Sequence, residues 1–188
     1  MADIKTLIIR VNELSEPKGK GSQEALRKGA YFENYWPGEV SQNAEAQQLK
    51  QAESPQVALE MLAAGQALIE VELNGPDHER ELFELLEQSD RRTILAIISK
   101  NSLVFYGLGV KAKHKSAEPV SFKDVLPTLA QVGEFYLAET VEGRVLFSAL
   151  KNKNYKQGQI ERLKAALERL EKILKRENRE PWDKHDCA

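Results

Sequence analysis

Short apolar runs alternate with amphipathic segments along most of the chain. Three runs rich in β-branched or aliphatic residues, at 6–11, 67–73 and 93–99, predict buried strands. A fourth run at 102–110 predicts a neighbouring strand. Because strands alternate with helical segments, we expect an α/β fold with a mostly parallel central sheet and helices on both faces.

Local signals mark where several helices begin and end. Ser54 and Pro55 predict a helix start, with serine as N-cap and proline in the first turn. This helix should continue to about Ala64, with Gly65 as its stop. Further helix-favouring patterns occupy 23–28, 42–51 and 79–88.

The character of the chain changes from residue 157, where charged residues surround a narrow apolar seam. The seam predicts an amphipathic C-terminal helix of about 20 residues. Its apolar positions recur at spacings of three and four: Ile160, Leu163, Leu167, Leu170 and Leu174. Two interpretations remain open: the helix docks on its own domain or ends as a solvated arm, or it pairs with a copy or another subunit.

This pattern divides the chain into three predicted parts. Residues 1–152 form the α/β domain, 153–180 contain the amphipathic helix, and 181–188 are a flexible tail. The division follows from the change in composition after the last apolar segment of the α/β pattern.

Composition narrows the classes of partner. The 188 residues include 27 Lys and Arg against 29 Asp and Glu, so the formal net charge is −2. This balance offers no overall attraction to nucleic acid or an anionic membrane, and we expect neither as a partner. The short apolar run near the N-terminus predicts neither a signal peptide nor a membrane span. The one cysteine, Cys187, cannot form an internal disulfide, and we therefore expect a cytoplasmic protein.

The segment DVLPTLAQVG (124–133) is followed by EGRVLFSAL (142–150), and together they carry family information. They resemble the alkaline phosphatase superfamily, which includes sulfatases, nucleotide pyrophosphatases and cofactor-independent phosphoglycerate mutases. There a similar Asp-x-x-Pro-Thr segment opens a helix near the end of the domain. Pro127 suits a first helical turn, where its missing N–H is not needed.

Other segments resemble the same superfamily in the same order, so the resemblance covers roughly residues 4–151. They are the first strand with its end (6–14), an aromatic segment leading to the nucleophile (26–44), a strand–loop–helix–strand stretch (67–101) and the stretch carrying the last metal histidine (104–128).

The resemblance implies a site with two divalent cations, which activate a nucleophile and hold the attacking and leaving oxygens. Asn12 stands where the first strand normally ends in a metal-binding aspartate. Residues 99–101 read Ser-Lys-Asn where the family has Asp-His-Gly. The sequence therefore lacks several of the ligands that this chemistry requires.

A reduced site is the remaining candidate for catalysis. The resemblance matches Asp77, with His78 beside it, to the loop aspartate, and His114 to the last histidine. The nucleophile falls near Ser41. Three such ligands can hold one zinc ion but not a two-metal pair. The competing interpretation makes Ser41 a helix N-cap and the histidines ordinary polar loop residues.

A basic segment offers an alternative without metal. The segment spans residues 111–115, with Lys100 expected nearby, and it is predicted to bind an anion or to form a solvated loop through Lys111, Lys113 and Lys115.

Three functional hypotheses follow. The first is a catalytically degenerate alkaline-phosphatase-like domain that serves as a binding or assembly subunit, needs no cofactor, and contacts a protein partner or its own copy through the C-terminal helix. The second is a metal-dependent hydrolase of phosphate or sulfate esters with zinc or manganese in the reduced site. The third is an unrelated small α/β protein.

Overall fold

The computed structural model describes residues 4–14, 19–37, 49–135, 137, 141–151 and 154–177, with side chains in the last range described for 160, 161 and 163–173. The chain divides into two compact units, Met1–Lys151 and Asn152–Ala188. Within the described ranges, no helix is both long enough and apolar enough to cross a bilayer. The predicted tail, 181–188, lies outside these ranges.

The first unit is built on a seven-stranded sheet with the order β4-β5-β1-β6-β7-β2-β8, and β3 and β9 form a separate parallel pair. Strands β4, β5, β1 and β6 are parallel, whereas β7 is antiparallel to both of its neighbours. The strands are β1 (Lys5–Val11), β2 (Ala30–Phe32), β3 (Tyr35–Trp36), β4 (Leu49–Ala52), β5 (Leu68–Leu73), β6 (Thr93–Ile98), β7 (Leu103–Gly107), β8 (His114–Ser116) and β9 (Val120–Ser121).

Helices cover both faces of this sheet. They are α1 (Lys20–Lys28), α2 (Pro55–Ala63), α3 (His78–Gln88) and α4 (Val125–Gly133), while the second unit contains α5 (Asn154–Glu177). Side chains from α1, α2 and α3 form one apolar cluster with alternate residues of β1, β5 and β6. Helix α4 packs against β1 and β6. The predicted α/β class with a mostly parallel sheet is therefore confirmed.

Strand β1 shows how the sequence pattern creates these two faces. Because side chains alternate along a strand, Leu7, Ile9 and Val11 enter the cluster with α1–α3. The residues of opposite phase, including Thr6 and Arg10, face the side of α4. The side chain of Thr6 lies near Gly133 at the end of that helix, where an added Cβ would come 3.0 Å from the hydroxyl oxygen.

Local signals fix some boundaries, and pairing within the sheet overrides others. The Ser54 hydroxyl accepts a hydrogen bond from the Val57 N–H at 3.3 Å, as the predicted N-cap requires, and Gly65 follows the helix with a positive φ of 84°. By contrast, the helix-favouring prediction for 42–51 is wrong over its last three residues, which belong to β4. Their backbone pairs with β5, and this ladder outweighs the local preference.

Candidate functional site

Ligands of open α/β sheets bind beyond the carboxyl ends of parallel strands, so this edge is the first place to look for a site. Asn12 directly follows β1, and Ser99 follows the neighbouring β6. Asp77 lies in the loop that leaves β5, on the other side of β1. The three positions that the resemblance assigned to the site, Asn12, Ser99 and Asp77, therefore follow three adjacent strands.

The end of β6 is closed by its own hydrogen bonds. The Ser99 and Ser102 hydroxyl oxygens lie 2.7 Å apart, and the Ser102 N–H donates to Ser99 Oγ at 3.2 Å. The Ser99 N–H also donates to the Ser102 carbonyl at 2.9 Å. Lys100 and Asn101 form the exposed tip of this turn. A tight β6–β7 hairpin thus occupies the place that the resemblance gives to two metal ligands.

Asp77 and His78 begin α3. The Asp77 side chain is exposed and makes no capping hydrogen bond. His78 Nδ1 lies 3.1 Å from the Gly75 carbonyl oxygen, and its buried Nε2 has no hydrogen-bond partner among the described residues. The next residue, Glu79, accepts hydrogen bonds from the Ser22 N–H and hydroxyl and so caps the start of α1. This segment therefore joins α3 to α1.

His114 lies far from Asp77 and His78 in the sheet. It begins β8, and four strands separate β8 from β5 in the sheet order. At a spacing of about 4.8 Å per strand, this corresponds to about 24 Å. The described residues contain no group of three metal-capable side chains. The structure therefore does not bring the three predicted ligands together, and Ser41 lies outside the described residues.

Burial and a neighbouring positive charge both disfavour the protonated form of His114. Its ring packs edge-on against Phe32, with 6.1 Å between ring centroids. Burial, and then the positive charge of Lys111, lower the pKa of His114. Its Nε2 is buried without a described hydrogen-bond partner.

The four predicted anion-binding lysines do not form one cluster either. Lys100 lies just before the start of β7, whereas Lys111 lies beyond its end. The two lysines are therefore at opposite ends of the strand. Lys111 Nζ donates to the Ser148 carbonyl at 2.8 Å, and Lys115 Nζ lies 3.1 Å from the Glu33 carboxylate. Lys113 is exposed and has a positive φ of 58°. Strand β7 therefore separates Lys100 from the other three.

A different set of cations lines a cleft of about 430 Å³ at the amino-terminal edge of β6. Lys28, Arg91 and Lys151 contribute positive charge to it, and Asp90 contributes negative charge. Lys28 also pairs with Glu24. Sequence reasoning missed this cleft because its cations come from three segments that are distant along the chain.

A buried ion pair lies on the α4 side of the sheet, near the carboxyl ends of the strands. Arg10 of β1 contacts the Glu70 carboxylate on β5, and the Glu70 side chain is only 7% exposed. The Arg10 guanidinium also lies 4.9 Å from the centre of the Phe122 ring. The pair places two opposite charges in mutual contact two residues before Asn12. Each charge of the pair is therefore compensated by the other.

Tyr35 belongs to the same region. Burial raises the pKa of its phenol, an effect that the positive charge of Arg10 opposes. The buried hydroxyl has no hydrogen-bond partner among the described residues. The backbone N–H of Tyr35 donates to the Asn101 carbonyl at 3.3 Å, which places β3 beside the β6–β7 turn.

An apolar cleft of about 500 Å³ opens next to β3 and β9. Trp36, which is 74% exposed, and Val120 provide apolar surface, while Asp124 and Arg144 provide polar groups. Arg144 is already engaged: its guanidinium donates to the Pro119 carbonyl at 2.8 Å and lies 2.9 Å from the Glu118 carboxylate. The cleft therefore offers mainly an apolar, aromatic surface.

The Asp-x-x-Pro-Thr segment has a structural task. The Asp124 carboxylate accepts hydrogen bonds from the Ser121 and Arg144 N–H groups, both at 2.9 Å. The buried Thr128 hydroxyl donates to the Asp124 carbonyl at 2.7 Å and accepts from the Leu146 N–H at 3.0 Å. These bonds attach the segment around residue 145 to the start of α4. Asp124 and Thr128, two of the residues on which the resemblance rests, therefore hold the local structure together.

Helix α5 carries an exposed apolar seam. Of the predicted seam residues, Leu174 lies in α5 but beyond the described side chains. The described seam side chains are between 44% and 60% exposed: Ile160, Leu163, Leu167, Leu170 and Ile173. Ile173 extends the predicted set. A row of large apolar side chains at helical spacing is typical of a helix that contacts another helix.

Comparisons of the chain with protein-family models, curated proteins and solved structures find no match.

Proposed function

We propose that this protein is a non-catalytic binding or assembly subunit, built on a core that resembles the alkaline phosphatase superfamily. The observation that carries the proposal is the exposed apolar seam of α5, since contiguous exposed apolar side chains mark interaction surfaces. A cytoplasmic location belongs to the same proposal, because a chain with one cysteine does not depend on disulfides.

The strand ends support the non-catalytic part of the proposal. Asn12 is neutral, and Ser99 is hydrogen-bonded within its own turn. His114 is four strands removed from the β5 loop that holds Asp77. A two-metal mechanism needs several carboxylates and histidines converging within a few ångströms, and this arrangement does not supply them among the described residues.

Catalysis is tested by metal analysis and by assays with an aryl phosphate and an aryl sulfate, each with added zinc or manganese. We expect no turnover that distinguishes the wild type from the Asp77→Ala and His78→Ala variants. Stoichiometric metal together with turnover that these substitutions abolish would instead establish the hydrolase alternative.

Assembly is tested by replacing seam residues with a polar residue that favours helices. Glutamine in place of Leu163, Leu167 and Leu170 removes the apolar seam but preserves helix propensity. The matched control places glutamine at Ala165, Glu168 and Lys172, which are also exposed on α5. In sedimentation velocity over a wide concentration range, we expect the seam variant to lose association that the wild type and the control retain. Association that persists equally in all three proteins would contradict an assembly role for the seam.

A further inference from the structure

We infer that α5 pairs with α5 of a second copy of this chain in an antiparallel orientation, with Leu167 of one copy beside Leu170 of the other. This inference rests on the proposed function and names its partner. It follows from the charges that flank the apolar seam rather than from the seam alone.

The seam has the spacing of a short coiled coil. When α5 is written as a heptad abcdefg, Ile160 and Leu167 occupy a positions, and Leu163 and Leu170 occupy d positions. Residues at a and d pack between helices, and the e and g residues beside them select the orientation and register. All four seam side chains are exposed in the described structure.

The flanking positions divide by chemistry. Lys164 and Glu171 are both e positions and carry opposite charges, whereas Ala166 and Ile173 are both g positions and are apolar. All four side chains are exposed. One side of the seam is therefore charged and the other side extends its apolar surface.

In a parallel pair of helices, the charged and apolar sides of the seam do not match. In that orientation each g position faces an e position of the other helix. Ala166 would lie beside Glu171 of the second copy, and no ion pair would form between them. The charged side of one helix would meet the apolar side of the other.

An antiparallel pair matches like side with like side, since e then faces e and g faces g. Lys164 of each copy faces Glu171 of the other, which gives two symmetric ion pairs. Ala166 of each copy faces Ile173 of the other and widens the apolar contact. The partner that best complements this helix is therefore a second copy of itself.

The charges also select one register. A shift by one heptad in one direction would place Lys164 against Lys164 of the second copy, and a shift in the other direction would place Glu171 against Glu171. Both shifts replace attraction with repulsion. Only the register with Leu167 beside Leu170 brings opposite charges together.

Charge reversal tests orientation and register in the full chain. The Lys164→Glu and Glu171→Lys variants each convert two attractive contacts in the dimer into two repulsive ones, and we expect each to weaken self-association about tenfold. We expect the variant with both reversals to recover wild-type association. Residues 164 and 171 lie about 10.5 Å apart along their own helix, so recovery must come from contacts between copies.

Mixing the two single variants provides a second test. Each associates poorly with itself, but the mixed pair has Glu opposite Lys at both contacts, so we expect it to form in preference to either self-pair. Matched controls are Glu168→Lys and Lys172→Glu, which make the same charge changes away from the seam and should leave association unchanged. Circular dichroism checks that every variant retains its helix, and high salt should reduce the differences.

The outcomes separate the inference from the proposed function. Seam-dependent association that is insensitive to both reversals, or that fails to recover in the double variant, overturns the antiparallel register but leaves the assembly role intact. A wild-type chain that remains monomeric at every concentration overturns self-pairing. Association that survives glutamine at all three seam leucines overturns both the inference and the assembly role of the seam.

Discussion

The buried ion pair between Arg10 and Glu70 makes the sharpest prediction about stability. We consider Glu70→Gln, which keeps the size of the side chain but removes its charge. Arg10 then loses the anion that it contacts, although its guanidinium retains its contact with the Phe122 ring. The matched control is Glu87→Gln, an identical chemical change at an exposed position of α3.

The magnitude follows from burial. Breaking a buried ion pair by removing one partner costs about 3–5 kcal/mol, because the other charge is left uncompensated. The Arg10 side chain is 23% exposed and can recover some hydration, so the lower end applies. A loss of about 3 kcal/mol corresponds to a Tm decrease of about 6–12 °C for a protein of this size. We expect Glu87→Gln to change stability by less than about 0.5 kcal/mol.

The measurement is urea unfolding followed by near-ultraviolet circular dichroism, which reports on buried tyrosines such as Tyr35. The double variant Arg10→Met with Glu70→Leu removes both charges and should lie within about 1 kcal/mol of the wild type, since replacing a whole buried pair by apolar groups is often neutral. If Glu70→Gln proves as stable as Glu87→Gln, or the double variant is as unstable as Glu70→Gln, the reasoning about an uncompensated charge is refuted.

Three further predictions concern other contacts. Thr128→Val removes the acceptor of the Leu146 N–H and should destabilise by about 1–3 kcal/mol in urea unfolding, whereas Thr128→Ser, which keeps the hydroxyl, should lose less. Because burial and then Lys111 lower the pKa of His114, the unfolded chain binds the proton more readily, and stability should fall as the pH drops below about 6.5. Urea midpoints should therefore depend less on pH in His114→Asn; an unchanged pH dependence would contradict this. Finally, Ser99→Asp combined with Lys100→His should not create stoichiometric zinc binding in calorimetry, because these positions form a tight hairpin turn; zinc binding there would show that the ligand geometry survives.

The buried strands could be predicted from the sequence because each is a short run of apolar residues, which is stable only when it is buried. All six residues of β6 are buried, and no other regular structure accommodates so short an apolar run as easily. The prediction failed for β4, whose residues Leu-Lys-Gln-Ala carry no strand signal. That strand exists because its backbone pairs with β5, and such pairing depends on residues far away in the chain.

The candidate site shows the same limit. The sequence correctly placed Asn12 and Ser99 at strand ends, because an end follows directly from its strand. It grouped His114 with Asp77, because sequence order does not reveal that β8 lies beside β2 at the far side of the sheet. The Arg10–Glu70 pair was missed, although charged residues among the apolar residues of both strands were a usable signal.

The outer strands of the sheet affect how any association measurement should be interpreted. Strand β4 has four residues and β8 has three, and each contains a lysine, Lys50 and Lys115 respectively. Short edges with lysine oppose the addition of a foreign strand, which is the usual route to amyloid-like aggregation of sheet proteins. Reversible, saturable growth in mass with concentration would therefore point away from sheet-to-sheet polymerisation and towards a closed assembly.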